Sequence, residues 1–528
     1  MEEQKTISIT ILETSDLHGH IFPISYGTNE FDPSGLAKIA TSIKQIQKKE
    51  KNIILIDNGD SMQGTPLAYH YVRQMNHLPN PMIQTFNELQ YDAAIIGNHE
   101  FNYGLPILQQ AIQEAKFPFL SANILHSDTK EPYFGPPYLI KTLEHGFRVA
   151  ILGLTTHYIP NWEKPEHIKD LEFEDSIKSA GRWISYIKEK ENPDLFIVSY
   201  HGGFEKDLKT GEPTESLTGE NQAYQLCMEV EGIDILLTGH QHRLLSDEVN
   251  GVTIIQPGCN GMFLGRIDLH FTHSSTDGWI CQSKKPSLIS IKPIEMDEQI
   301  SQMNKPYEEA TQHWLDQYIG QIQGDMIIHD PFEARTKEHP FIEFVNRVQM
   351  EIANVDISNT ALFHNQALGF SANVTMREIV SNYIYPNTLA VIELSGQDIK
   401  DALEKTATYF ILNDQGQIDV NPQFVEPKPQ HYNYDMWEGI SYTIDVSKPV
   451  GKRILHLMKD SDPLHMDRTY HVVMNNYRAA GGGNYHMFKG KKIMKEIQLD
   501  MTEILANYFS KYKIVNAEVN HNWQVITS

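Results

Sequence analysis

Five short apolar stretches, 7–12, 53–56, 93–96, 195–198 and 233–237, each run out into metal-ligand residue types. The clusters are Thr14-Ser15-Asp16-Leu17-His18, Asn58-Gly59-Asp60, Gly97-Asn98-His99-Glu100, Tyr200-His201-Gly202 and Gly239-His240-Gln241-His242. Most of the stretches between them have apolar residues at helical spacing, as in 36–49, 105–115 and 176–190, so the pattern reads as strands alternating with helices. In such an open α/β sheet, residues that follow the strands collect at one rim, where sites are built. Any one of these clusters is weak evidence, since a lone His or an Asp-x-His is common. Five in a row, each at the end of a predicted strand, constrain the chain to bring its donors together.

Length and charge narrow the rest. A chain of 528 residues exceeds what one core holds, about 250–300 residues, so two domains are expected. The alternating pattern fills 1–295. An acidic stretch then reads as one helix over 296–319, free of strands, inside a connector 296–330, and a second α/β unit occupies 331–528. Within it the sequence predicts helices near 340–353 and 397–407, strands near 389–394, 441–446 and 470–474, and a long surface loop over 413–434. The formal charge of −24, from 68 acidic and 44 basic residues, argues against nucleic-acid duplexes as partners. An anionic substrate would need a local positive focus, which bound divalent cations supply. Cys227, Cys259 and Cys281 share no disulfide or metal spacing. No apolar run approaches the ~18 residues of a membrane span, and no export signal is visible at the start, so the expected place is the cytoplasm, or outside the cell if a signal has been removed. No protein partner is implied.

The donor types define the chemistry. Asp16 and His18 lie two apart, so on an extended segment they would face one side and share a cation. Asp60, with two oxygens after a buried strand, is suited to bridge two cations. Asn98, His201, His240 and His242 complete a set of nitrogen and oxygen donors without thiolate, which suits Mn²⁺ or Zn²⁺, with Co²⁺ or Fe as further options. Two cations ~3.5–4 Å apart clamp a phosphoryl group and lower the pKa of bound water from about 15.7 to about 7. His99, beside Asn98, is placed to donate to a phosphoryl oxygen or to protonate the leaving alkoxide.

At these residues the sequence resembles the metallophosphoesterases, and over nearly its whole length the two-domain 5′-nucleotidase family. Asp57-Asn58-Gly59-Asp60 with Gln63-Gly64-Thr65-Pro66, Gly97 to Gly104 and Tyr477-Arg478-Ala479-Ala480-Gly481-Gly482-Gly483 are most similar to its 2′,3′-cyclic-nucleotide 2′-phosphodiesterase/3′-nucleotidase branch. The resemblance implies an α/β fold, a four-layer αββα sandwich followed by a nucleoside-binding α/β domain, joined by a helix. It implies one metal at Asp16, His18, Asp60 and His242, a second at Asp60, Asn98, His201 and His240, and His99 as the catalytic histidine. It also implies that Tyr442 and Tyr485 stack on the base and that Asn359 contacts base or sugar. The run Gly481 to Gly483 would let backbone approach a ligand closely, or form a plain turn.

Two departures from 5′-nucleotidases stand out. Asn102 occupies the place of the Asp that orients the catalytic His, and His364 stands where those enzymes carry an Arg that grips anions. Both fit hydrolysis of nucleoside 2′,3′-cyclic phosphates to 3′-nucleotides and then to nucleoside and phosphate. The alternatives are a 5′-nucleotidase or nucleotide-sugar hydrolase and, in another class, a nucleotide-binding protein without turnover. The last would lack metal-dependent hydrolysis of bis(p-nitrophenyl) phosphate.

Overall fold

A computed structural model describes residues 5–528 except positions 216, 277, 367, 386, 427 and 498. The chain divides into two compact units, Met1–Thr311 and Gln312–Ser528. The first holds two six-stranded sheets. One runs in the order Gly278–Ser290, Phe263–Ser274, Thr6–Thr14, Ile53–Asp57, Ala93–Ile95, Phe119–Leu120. The other runs Leu244–Val249, Val252–Pro257, Ile235–Thr238, Leu195–His201, Arg148–Thr155, Tyr138–Thr142.

Side-chain alternation explains how the sheets stack. Val149, Ile151, Leu195 and Ile197 share one core with Ile9, Ile11, Ile54 and Ile95 of the other sheet. Their neighbours Ala150, Leu152, Phe196 and Val198 point the opposite way, onto Ala180, Ile184 and Ile187 of the helix Ser176–Glu191. A strand buried on both faces reads as a continuous apolar run, as these do. The helices Leu36–Gln47, Pro81–Leu89 and Leu105–Glu114 connect the parallel strands of the first sheet. One face of that sheet is taken by its partner sheet, which leaves these helices the other. The result is the expected αββα sandwich.

The second unit has a mixed five-stranded sheet, in the order Asp435–Glu438, Ile357–Ala361, Thr469–Asn475, Leu389–Ser395, Ile493–Ile497. Helices Pro340–Ala353 and Gly396–Ala407 fall where the apolar spacing places them. Two expectations need correction. The connector is not strand-free, because Tyr318–Gln323 pairs with Asn373–Thr375 and Ile514–Asn516. Its helix, Glu298–Leu315, carries the boundary between the two units. Its first turns belong to the first unit, where Asn304 Nδ2 donates to Thr85 Oγ1 at 2.9 Å and Tyr307 Oη to the Pro79 carbonyl at 2.8 Å. The expected loop 413–434 also carries the short strand Ile418–Val420, and His431, Asn433 and Tyr434 within it are buried. Among the described residues no helix is long and apolar enough to cross a membrane.

Candidate metal centre

All seven proposed donors lie in or just after strands that are parallel to a neighbour. His201 is the last residue of its strand, while Asp16 and His18, Asp60, Asn98, and His240 and His242 follow the ends at Thr14, Asp57, Ile95 and Thr238. The structure brings them together. Donor atoms of Asp16, His18 and His242 lie within 4.8 Å of one another, as do those of Asp60, His201 and His240. Asn98 Oδ1 is 3.2 Å from His201 Nε2 and 2.9 Å from His240 Nδ1. His18 Nε2 and His242 Nε2 are 3.0 Å apart.

The backbone achieves this in a way the sequence reading missed. Asp16 and His18 are not extended; their φ values are 53° and 49°, and Asp60, His240 and His242 are also left-handed at 57°, 67° and 58°. Left-handed backbone costs a residue with a side chain about 1–2 kcal/mol. Such strain concentrates where surrounding structure over-determines a site. Part of the over-determination comes from Glu100, whose buried carboxylate accepts the backbone N–H groups of Asp60 (2.8 Å), Ser61 (2.7 Å) and Gly97 (2.8 Å). Glycine is needed nearby too, since a Cβ at Gly239 would sit 2.7 Å from Asp16 Oδ2.

The inner atoms of this nest are acceptors. His18 Nδ1 is 3.0 Å from the Gln63 carbonyl, His201 Nδ1 2.7 Å from the Asn58 carbonyl, and His240 Nε2 2.9 Å from Glu220 Oε1. Each of those oxygens can only accept, so each ring's N–H points outward and its lone pair points in. The pair Asn98 Oδ1 and His201 Nε2 therefore presents two acceptors to each other, which is repulsive unless a cation lies between them.

Charge makes the same demand. Asp16 and Asp60 are 0% and 1% exposed. Burial alone would raise Asp60, yet His201, then His99 and His18, hold it well below the ordinary carboxylate range. Burial alone would depress His201, but Asp60, with Oδ2 3.2 Å away, pushes it up to about 10. In the absence of a cation the site thus draws in a proton, and a divalent ion would serve in its place. Glu13 lies buried with neither carboxyl oxygen hydrogen-bonded among the described residues, and burial pushes its carboxyl well above the ordinary range. The donor set therefore fits a pair of divalent cations.

His99 stands at the edge of this nest. Its backbone N–H donates to Asp60 Oδ1 at 2.7 Å, its Nε2 lies 4.0 Å from Asp60 Oδ2, and its Nδ1 is 2.7 Å from Asn102 Oδ1. Three residues absent from the sequence reading also belong here: Glu220, Trp162, whose ring stacks on His240 with centroids 5.4 Å apart, and Glu163, which accepts from Asn102. They come from stretches without periodicity, where one acidic residue among 68 carries no mark.

In the second unit the expected base platform is not formed by Tyr442 and Tyr485. Tyr442 is 2% exposed, stacks on Trp523 and accepts the Trp437 N–H at 3.2 Å. Tyr485 is 0% exposed, lies between Phe488 and the Arg478 guanidinium, and bonds through its hydroxyl to Thr406 at 2.7 Å. Both are core residues with no ring face left for a base. The alternation Ile440, Tyr442, Ile444 was the available signal, because it sets Tyr442 on the buried side of its strand. The glycine run serves packing of its own, as a Cβ at Gly483 would collide with Asn433 and Arg478. Asn359 is also buried, but both of its amide atoms lack partners among the described residues. His364 spends its nitrogens locally, Nε2 on the Ser381 carbonyl at 3.0 Å and Nδ1 on the Gln366 N–H at 3.1 Å.

Comparison with known proteins agrees with this architecture. Residues 9–244 match the calcineurin-like phosphoesterase family, and residues 318–490 match the 5′-nucleotidase C-terminal domain. Fold and site thus define a metallophosphoesterase, an enzyme class that works with divalent metal ions. A Staphylococcus aureus protein described provisionally as a 5′-nucleotidase, solved with alpha-ketoglutarate, superposes with a TM-score of 0.90 at 35% identity, covering 98% of this chain and all of that one. The 2′,3′-cyclic-nucleotide 2′-phosphodiesterase/3′-nucleotidase of Haemophilus influenzae is 29% identical, over 98% of this chain and 88% of that protein. The trifunctional nucleotide phosphoesterase YfkN of Bacillus subtilis is 28% identical over 98% of this chain, which spans only 39% of that longer protein. The chain belongs to the 5′-nucleotidase family of metallophosphoesterases and is a hydrolase.

Proposed function

We propose that this enzyme opens nucleoside 2′,3′-cyclic phosphates at the 2′ ester and then releases the 3′-phosphate, with Asp16, His18, Asp60, Asn98, His201, His240 and His242 as metal ligands. The observation that carries the reading is the nest of inward lone pairs around two buried carboxylates, with His99 Nε2 at its edge. When bound, the cations supply Lewis-acid charge to the phosphoryl group and activate water. The protein's own part is to orient and to move a proton. Asp60 fixes the His99 backbone through its N–H, and Asn102 fixes the ring, so Nε2 hands a proton to the departing ribose oxygen. Both steps displace a ribose oxygen from phosphorus, so the same residues serve each.

Donors of nitrogen and oxygen without thiolate suit Mn²⁺ or Zn²⁺, and Co²⁺ or Fe would also be accepted. The nucleoside falls to the second unit in this reading. There the orphaned amide of Asn359 offers a polar contact, and the half-buried rings of Tyr385 and Tyr432, 6.5 Å apart, offer aromatic surface. His364, with its nitrogens engaged by Ser381 and Gln366, stands in place of the arginine that grips anions in 5′-nucleotidases, which supports this reading over recognition of 5′-monophosphates. The similarity to the Staphylococcus aureus protein favours a second reading, 5′-nucleotidase activity. Initial rates on 2′,3′-cAMP, 3′-AMP and 5′-AMP with Mn²⁺ separate the two: turnover of the first two above 5′-AMP supports the cyclic reading, and 5′-AMP as the best substrate overturns it.

A further inference from the structure

Two linked side chains, Asn102 and Glu163, hold His99 from behind. Asn102 Oδ1 lies 2.7 Å from His99 Nδ1, and Asn102 Nδ2 donates to Glu163 Oε2 at 2.7 Å. An amide facing a histidine alone can sit either way round, because the ring nitrogen can donate or accept. A carboxylate removes that freedom. Glu163 can only accept, so it draws the amide N–H group to itself and turns the amide oxygen toward His99. His99 Nδ1 must then be the donor, and Nε2 becomes the nitrogen that faces the centre.

Glu163 is built for the task. Its side chain is 6% exposed, and its other oxygen is occupied within its own loop by the Lys164 N–H at 2.8 Å and His167 Nδ1 at 3.0 Å. The loop is anchored in turn by the Glu163 N–H to the Ile159 carbonyl at 3.0 Å. The preceding residue is Trp162, stacked on His240, so one turn braces both His99 and a proposed metal ligand.

We propose that Glu163 is a positioning residue for His99: acting through Asn102, its carboxylate fixes the ring's orientation and tautomer and so keeps Nε2 in place for the proton transfer. The negative charge of a histidine–carboxylate pair is kept here, but one side chain further out. This inference rests on the phosphoesterase reading of His99.

The test is a charge swap in the full-length, Mn²⁺-loaded enzyme. Glu163→Gln, Asn102→Asp and the double variant are compared with wild type for kcat and KM on 3′-AMP and bis(p-nitrophenyl) phosphate. Metal content and thermal midpoint are read alongside. Glu163→Gln should lower kcat roughly 10–100-fold, the usual loss when a partner that orients a functional histidine is removed. KM and metal content should not move. The double variant, which puts the carboxylate directly on His99 and an amide behind it, should recover most of that loss, whereas Asn102→Asp alone sets two carboxylates against each other and should not. Wild-type kcat in Glu163→Gln, or a double variant no better than Glu163→Gln, overturns the inference. Should Glu163→Gln unfold or shed metal, the double variant decides: recovered kcat upholds the swap, and failure to recover it rejects the swap. A wild-type protein inactive on both esters would remove the phosphoesterase reading itself.

Discussion

The two units differ in how openly their functional residues declare themselves. In the first, seven polar donors gather where strand ends predict, although Asp16, Asp60 and His201 are completely or almost completely buried. In the second, two tyrosines beside suggestive motifs turn out to be core. The difference follows from burial energetics. A buried carboxylate or imidazole is expensive unless something compensates it, so a cluster of them demands a cause, whereas a buried tyrosine is an ordinary packing element.

The largest effect expected from this contrast lies in the first unit. His99→Ala should lower kcat by about 10²–10⁴-fold with metal content intact, measured by steady-state kinetics and elemental analysis. Loss of metal in that variant would mean that His99 is itself a donor. In the second unit, Tyr442→Ala should act on stability, lowering it by about 3–5 kcal/mol in denaturant unfolding, as large aromatic truncations in cores do. The ratio of nucleotide to p-nitrophenyl ester turnover should stay constant. A selective rise in KM for nucleotides without loss of stability would return Tyr442 to the ligand site and erase the contrast. The smallest effect concerns pH. His201 is raised from 6.5 in the unfolded chain to about 10 in the folded, metal-free protein. Its contribution to stability is therefore complete below pH 6.5 and is lost as pH climbs toward 10. Chelator-treated protein should show a falling thermal midpoint across that interval, and the metal-loaded protein should not. Parallel behaviour of the two forms would mean that no cation replaces the proton.

Much of the fold was legible because the β-branched runs and helical spacings of the first unit agree with one another. The convergence of the seven proposed donors was legible for the same reason, since His201 ends its strand and the other six follow strand ends within a few residues. Their backbone was not: periodicity puts Asp16 and His18 on an extended segment, whereas tertiary contacts, the Asp16 N–H on the Gly59 carbonyl and the His18 N–H on the Asp60 carbonyl, hold the left-handed turn. Glu163, Trp162 and Glu220 were invisible because they reach the centre from irregular loops, where residue type alone says nothing about direction. The resemblance places Tyr442 and Tyr485 on the base, whereas the two-residue alternation of Ile440, Tyr442 and Ile444 sets Tyr442 in the core.

Five of the seven proposed donors sit on left-handed backbone that the surrounding fold holds in place. An ion entering such a cage has only side-chain torsions to adjust, so ions of somewhat different radius can trade places without disturbing the chain. On the proposed reading of these residues as metal ligands, the chain itself would then discriminate little between such ions.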